Sequence, residues 1–116
     1  MKKLNLVLTT LFFLLLATGS VFADDTGKPQ GQIVYEHWCA PCHAAGLEHP
    51  GTMALNTKYK GKIPAVLIQR TDLTPVVIKT FVRHGVSIMP FFRKTEISDK
   101  QLDALANYIA NYSKKK

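Results

Sequence analysis

The chain is 116 residues long, 47% hydrophobic and 20% charged. That composition describes one small folded domain and excludes an intrinsically disordered chain. A formal net charge of +7 favours acidic partners, and the export signal described next excludes nucleic acid as the target.

Residues 1–23 read as a secretory signal peptide. Lys2 and Lys3 form a positive n-region, and Leu4 to Ala17 is apolar but for Asn5, Thr9 and Thr10. Val21-Phe22-Ala23 then sets small residues at the two positions a signal peptidase inspects. The apolar run is shorter than the ~20 residues that span a bilayer. Cleavage after Ala23 is the expectation, and an uncleaved anchor in the inner membrane is the alternative. The remaining domain, 24–116, is small for a self-sufficient core, and such scaffolds lean on a staple or a cofactor.

Gln30 to His43 has helical character, because Gly31, Val34 or Tyr35, Trp38 and Cys42 recur at spacings of three and four. Ala44 and Ala45 favour helix, so the end is expected near Gly46. This segment carries the only two cysteines of the chain, in Cys39-Ala40-Pro41-Cys42-His43. C-x-x-C followed directly by His is the attachment signature of c-type haem. One helical turn presents both sulfurs to the edge of a macrocycle, where each thiol adds to one vinyl group. The next imidazole then meets the iron from the proximal side.

Three rivals exist for the same residues. A thioredoxin-like dithiol is suggested by Trp38-Cys39-Ala40-Pro41-Cys42, yet that fold needs a strand before the motif and a long helix after it. Gly27, Pro29 and Gly31 precede the motif, and Gly46, Pro50 and Gly51 follow it. A zinc site needs two more ligands, for which His49 and His84 are the candidates. A plain disulfide leaves His43 unexplained.

Gly46 to Lys62 shows no steady period and reads as a loop around the haem edge. Pro64 to Arg70 offers a short helix. Thr74-Pro75 opens another helix, with Thr as N-cap and Pro at the first position. Its stripe is Val77, Ile78, Phe81 and Val82, and Gly85 ends it. Met53 follows His43 too closely to swing to the opposite haem face. Met89 is far enough away, and Pro90 biases it to extended backbone, so it is the expected second axial ligand. His84 competes for that role, but it also suits the carbonyl end of its helix. Ser98 and Gln101 form a capping box for the last helix. Leu102, Leu105, Ala106, Ile109 and Tyr112 share one face of that helix. Lys114 to Lys116 form a solvated tail. No repeats and no β-periodic runs occur, and the predicted class is all-α.

These residues resemble a class I cytochrome c over nearly all of 24–116. The haem signature carries the likeness, together with Val82-Arg83-His84-Gly85 and Met89-Pro90-Phe91-Phe92. Ala44 departs from the glycine common after the ligating histidine. The resemblance implies three to five helices around one covalent haem c, bonded through Cys39 and Cys42 with His43 and Met89 on the iron. It implies that Gly31 and Tyr35 of the first helix cross Leu105 and Tyr108 of the last, so that a side chain at position 31 clashes. It also implies a periplasmic electron carrier between a dehydrogenase and a respiratory acceptor, with no small-molecule substrate at the iron. The C-terminal half is similar to the small cytochrome subunits of periplasmic flavoprotein dehydrogenases of the p-cresol methylhydroxylase type. Pro41, Val66, Leu67, Phe81, Ile88 and Phe91 are candidates to line the pocket. Arg70, Arg83 and Tyr59 are candidates for the propionates, and Lys58, Lys60, Lys62 and Lys94 for a basic rim facing an acidic partner.

Overall fold

The computed structural model describes residues 27–115. The expected signal peptide, 1–23, and its cleavage point lie outside the described residues. The elements in order are α1 (Gln30–Val34), a π-helical turn (Tyr35–Cys39), α2 (Ala40–His43), α3 (Pro50–Tyr59), a 3₁₀ turn (Leu67–Gln69), α4 (Pro75–His84), α5 (Asp99–Tyr112) and a terminal 3₁₀ turn (Ser113–Lys115). Among the described residues there is no β-strand, only one bridge between Val86 and Met89. No helix of the described residues is long and apolar enough to cross a membrane.

The helix ends follow the local chemistry. Thr74 caps α4, its Oγ accepting from the Val77 N–H at 3.4 Å, and Gly85 stops the helix at φ +70°. At the start of α5 the Ser98 N–H donates to Gln101 Oε1 at 2.9 Å, and the Gln101 N–H returns to Ser98 Oγ at 3.3 Å. The capping box is therefore formed in both directions.

α5 is the spine of the core. Leu102, Leu105, Ala106, Ile109 and Ala110 are buried along it, against Val34 and Tyr35 of α1, Ile78 and Val82 of α4, and Leu73 and Ile97 from the connections. Ile97, Leu105 and Ile109 are wholly buried, each stabilising the fold by roughly 1.5–3 kcal/mol. α1 crosses α5 at Gly31, where an added Cβ would sit 2.2 Å from the Ala104 carbonyl oxygen and 2.6 Å from Tyr108 Cβ. The Tyr35 and Tyr108 rings meet at a tilt of 48°, centroids 5.8 Å apart, beside this crossing.

Four sequence expectations are corrected. The first helical segment ends at His43 rather than near Gly46, because Ala44 turns to extended backbone with ψ 175°. Residues 46–62 are not a loop: Pro50–Tyr59 is helical, started by Pro50 in the first turn and stopped by Lys60 at φ +49°. Pro64–Arg70 is reduced to the single 3₁₀ turn Leu67–Gln69. On α4 only Ile78 and Val82 of the expected stripe are buried, while Val77 and Phe81 stay more than one-third exposed.

Candidate functional site

The two cysteines and His43 share a continuous helical path that changes register. The Ala40 N–H donates to the Tyr35 carbonyl, closing an i→i+5 turn. A π turn adds one residue to the helix and so rotates everything after it. Gly31 and Val34 before it and Tyr35 at its start are buried, and Cys39 at its end is still buried while Cys42 is exposed. Pro41 lies in the first turn of α2 and His43 in its last.

The environments of the cysteines argue against a thioredoxin-type dithiol. Burial, with some help from the neighbouring Cys42, pushes the Cys39 thiol up to about 12. A dithiol oxidoreductase needs a thiolate at neutral pH, obtained by a lowered pKa. The zinc reading fails on assembly: among the described residues no three His, Cys, Asp or Glu side chains are gathered for a metal ion. His49 instead gives its Nδ1 to the Pro41 carbonyl at 2.9 Å. Since a carbonyl only accepts, that nitrogen carries the proton.

The His43 ring is left in a state that can take a metal. Burial pushes its imidazole pKa down, which favours the neutral ring a metal requires. Its Nδ1 is buried and has no hydrogen-bond partner. A Cβ on Gly51 would lie 2.9 Å from that nitrogen, 2.7 Å from Cε1 of the same ring and 2.7 Å from the Cys42 carbonyl oxygen. The Nδ1 edge is thus closed against the backbone of α3, which leaves Nε2 to take a metal. Two thiols on one turn, followed by an imidazole free on one nitrogen, are the donor set of a c-type haem, and the residues fit that group.

The sequence pattern missed what holds this turn. Thr52, only 3% exposed, donates its hydroxyl to the Ala44 carbonyl at 2.7 Å. The Tyr35 hydroxyl donates to the His43 carbonyl at 3.3 Å, and burial pushes the Tyr35 pKa up to about 12. Gly51, Thr52 and His49 all lie where the sequence suggests a loop. The only available signal was a proline placed to start a helix. Gly51→Ala is expected to displace the His43 ring and destabilise the domain by about 1–3 kcal/mol. A thermal melt and the axial-ligand spectrum, read on the same sample, check both effects.

Met89 is half-buried and packs against the core. It closes a tight turn: the Val86 N–H donates to the Met89 carbonyl at 3.1 Å, and the Met89 N–H donates back at 2.9 Å. Ser87, at φ +54°, makes the reversal. Gly85 is required here, because a Cβ on it would come 2.7 Å from the Met89 carbonyl oxygen. Phe92 then meets Trp38 edge-on at 5.6 Å, so the Met89 segment and the turn leading into Cys39 are joined by an aromatic contact. Met53 lies exposed on α3. His84 is exposed in the last turn of α4, its Nδ1 on the Thr80 carbonyl at 3.0 Å, at the carbonyl end of its helix.

The charged candidates divide. Arg70 forks onto Asp72 at 2.9 and 2.5 Å and lies over the Tyr59 ring at 5.0 Å. Arg83 is bonded to the chain that follows Met89, so each arginine is already engaged by other groups of the protein. Lys94 pairs with Asp99 at 2.8 Å. Each described Asp and Glu side chain lies within ion-pair distance of a Lys, Arg or His. Lys58, Lys60 and Lys62 have no carboxylate partner among the described residues, so uncompensated positive charge gathers at the end of α3.

A protein-family model described as "Cytochrome C oxidase, cbb3-type, subunit III" matches residues 27–109. None of the curated proteins and none of the solved structures matches the chain.

Proposed function

We propose, because the chain belongs to this cytochrome c family, that it is a periplasmic one-electron carrier with one haem c bonded through Cys39 and Cys42 and ligated by His43 and Met89. The family is one of electron-transfer proteins with covalently bound haem. The observation that carries the assignment to these residues is the His43 ring. It stands one residue past two cysteines on a single helical path, with Nδ1 closed against Gly51.

When bound, the haem supplies a one-electron couple between ferric and ferrous iron. Cys39 and Cys42 would fix its edge to the π turn and α2. His43 and Met89 would hold the iron from both sides in both oxidation states, so little rearrangement accompanies the transfer. A thioether opposite an imidazole raises the potential relative to two imidazoles. The donor suggested by the likeness of the C-terminal half is a periplasmic flavoprotein dehydrogenase, and the acceptor is respiratory.

The test is a spectrum of the exported protein, made in cells that attach haem to exported chains. Pigment that survives acid-acetone extraction, with a methionine-to-iron charge-transfer band in the ferric state, is the expected result. A colourless protein, or pigment that extracts, would overturn the reading. Met89→Ala should lose the band. An unchanged spectrum in that variant would move the second ligand to His84.

Partners are approached by charge. Lys58, Lys60 and Lys62 would steer an acidic surface toward the haem-bearing face. Reversing all three to Glu should slow reduction of hexacyanoferrate(III) about tenfold in ~0.01 M salt. The difference should vanish near 1 M salt, where the screening length is about 3 Å. Stopped-flow rates equal at both salt concentrations would remove the acidic-partner proposal.

A further inference from the structure

The segment that carries Met89 has little core of its own. Between Gly85 and Ser98, Val86, Ser87, Ile88, Pro90, Phe91, Arg93, Lys94 and Thr95 are exposed, and only Ile97 is buried. A stretch with so few buried contacts opens locally at low cost unless something else ties it down. Its backbone supplies part of the tie, since the Phe92 N–H donates to the Val82 carbonyl at 2.7 Å.

Phe92 against Trp38 and Lys94 on Asp99 add single contacts, and one side chain makes three bonds at once. Arg83, in the last turn of α4, donates Nη1 to the Phe92 carbonyl at 3.0 Å. Its Nη2 donates to the Ile97 carbonyl at 2.9 Å and to Asp99 Oδ1 at 2.9 Å. The side chain is only 19% exposed; its two bonds to backbone carbonyls are partly buried, where they are worth more, while the bond to Asp99 lies exposed. They join the helix before the segment to two points along it and to the first residue of the helix after it. A planar guanidinium can reach three such acceptors at once, and a lysine ammonium on a flexible stem is far less suited to it.

We propose that Arg83 is a positioning residue for Met89: its fork holds the 85–97 segment closed and so keeps the thioether on the iron. The proposal rests on Met89 being the second ligand. A thioether is a weak ligand, so its bond lasts only while the chain carrying it stays in place. The fraction of time Met89 is off the iron sets how readily an outside ligand enters.

Imidazole titration of the ferric holoprotein reads that fraction directly. Arg83→Ala is expected to bind imidazole about tenfold more tightly or better, the scale of losing charged hydrogen bonds from the closed state, and to weaken the methionine-to-iron band. Arg83→Lys, which keeps the charge and loses the fork, should fall between it and the wild type, and it serves where the alanine variant does not fold. Ile109→Val, a core change on α5 that leaves every Arg83 bond in place, lowers general stability and should leave imidazole affinity unchanged. Equal affinity in the wild type and both Arg83 variants would overturn the proposal, as would an equal rise in Ile109→Val. A wild-type ferric spectrum unaltered by Met89→Ala would instead show that the ligand assignment had failed, and the proposal with it.

Discussion

Gly31→Ala is expected to lower the melting temperature of the holoprotein by about 5–15 °C, the equivalent of a net loss of roughly 1–2 kcal/mol for a domain of this size. Two opposed effects decide the sign. Alanine gains about 1 kcal/mol over glycine as a helix former. Against this, the new Cβ would lie 2.2 Å from the Ala104 carbonyl oxygen and 2.8 Å from its carbon. The obstruction is backbone of the neighbouring helix, so no rotamer change relieves it. α1 has to withdraw from α5, and with it Val34 and Tyr35, both buried at the crossing. Overpacking of this kind costs typically 1–3 kcal/mol and at times more, which outweighs the propensity gain. Thermal unfolding followed by circular dichroism checks it, and a melt at or above the wild-type temperature would refute the close crossing.

The features legible in the sequence were those written in local chemistry. The capping box at Ser98 and Gln101 reads directly, and so do the Thr74-Pro75 start, the stop at Gly85 and the apolar face of α5. Gly31 was legible through the resemblance that pairs it with the last helix. α3 was not, and the reason is physical. Thr52 is its single buried residue, so it has no apolar stripe to announce it. It is held by a hydroxyl on the Ala44 carbonyl and by glycine backbone against the His43 ring, contacts that leave no periodic trace. The π turn was hidden for a related cause. One extra residue per turn alters which side chains share a face, and a pattern of threes and fours absorbs that shift. Arg83 looked like a candidate for an anion because its type suits one. Only its three acceptors, spread over residues 92 to 99, reveal what it holds.

Substituting Cys39 and Cys42 together by alanine is expected to abolish covalent pigment and to cost the domain its cooperative melt. The two single variants should differ, because the two sites differ. Cys42 is exposed, so Cys42→Ala removes one thioether and little packing; one bond through Cys39 would keep the pigment from extracting. Cys39 is buried in the core cluster beside Val34 and Tyr35, so Cys39→Ala loses a bond and leaves a small void, and is the more damaging single change. The double variant goes further than the sum. Among the described residues three large side chains are wholly buried, all within Ile97 to Ile109, and domains this small depend on a staple or a bound group for part of their stability. With neither bond, the proposed ligands His43 and Met89 would have to retain the haem at a site whose geometry the two thioethers help to fix. Acid-acetone extraction and a thermal melt on the three variants make the comparison. A double variant that stays pigmented after extraction would mean that the sulfurs never held the haem, and that the helical path from Tyr35 to His43 serves some other end.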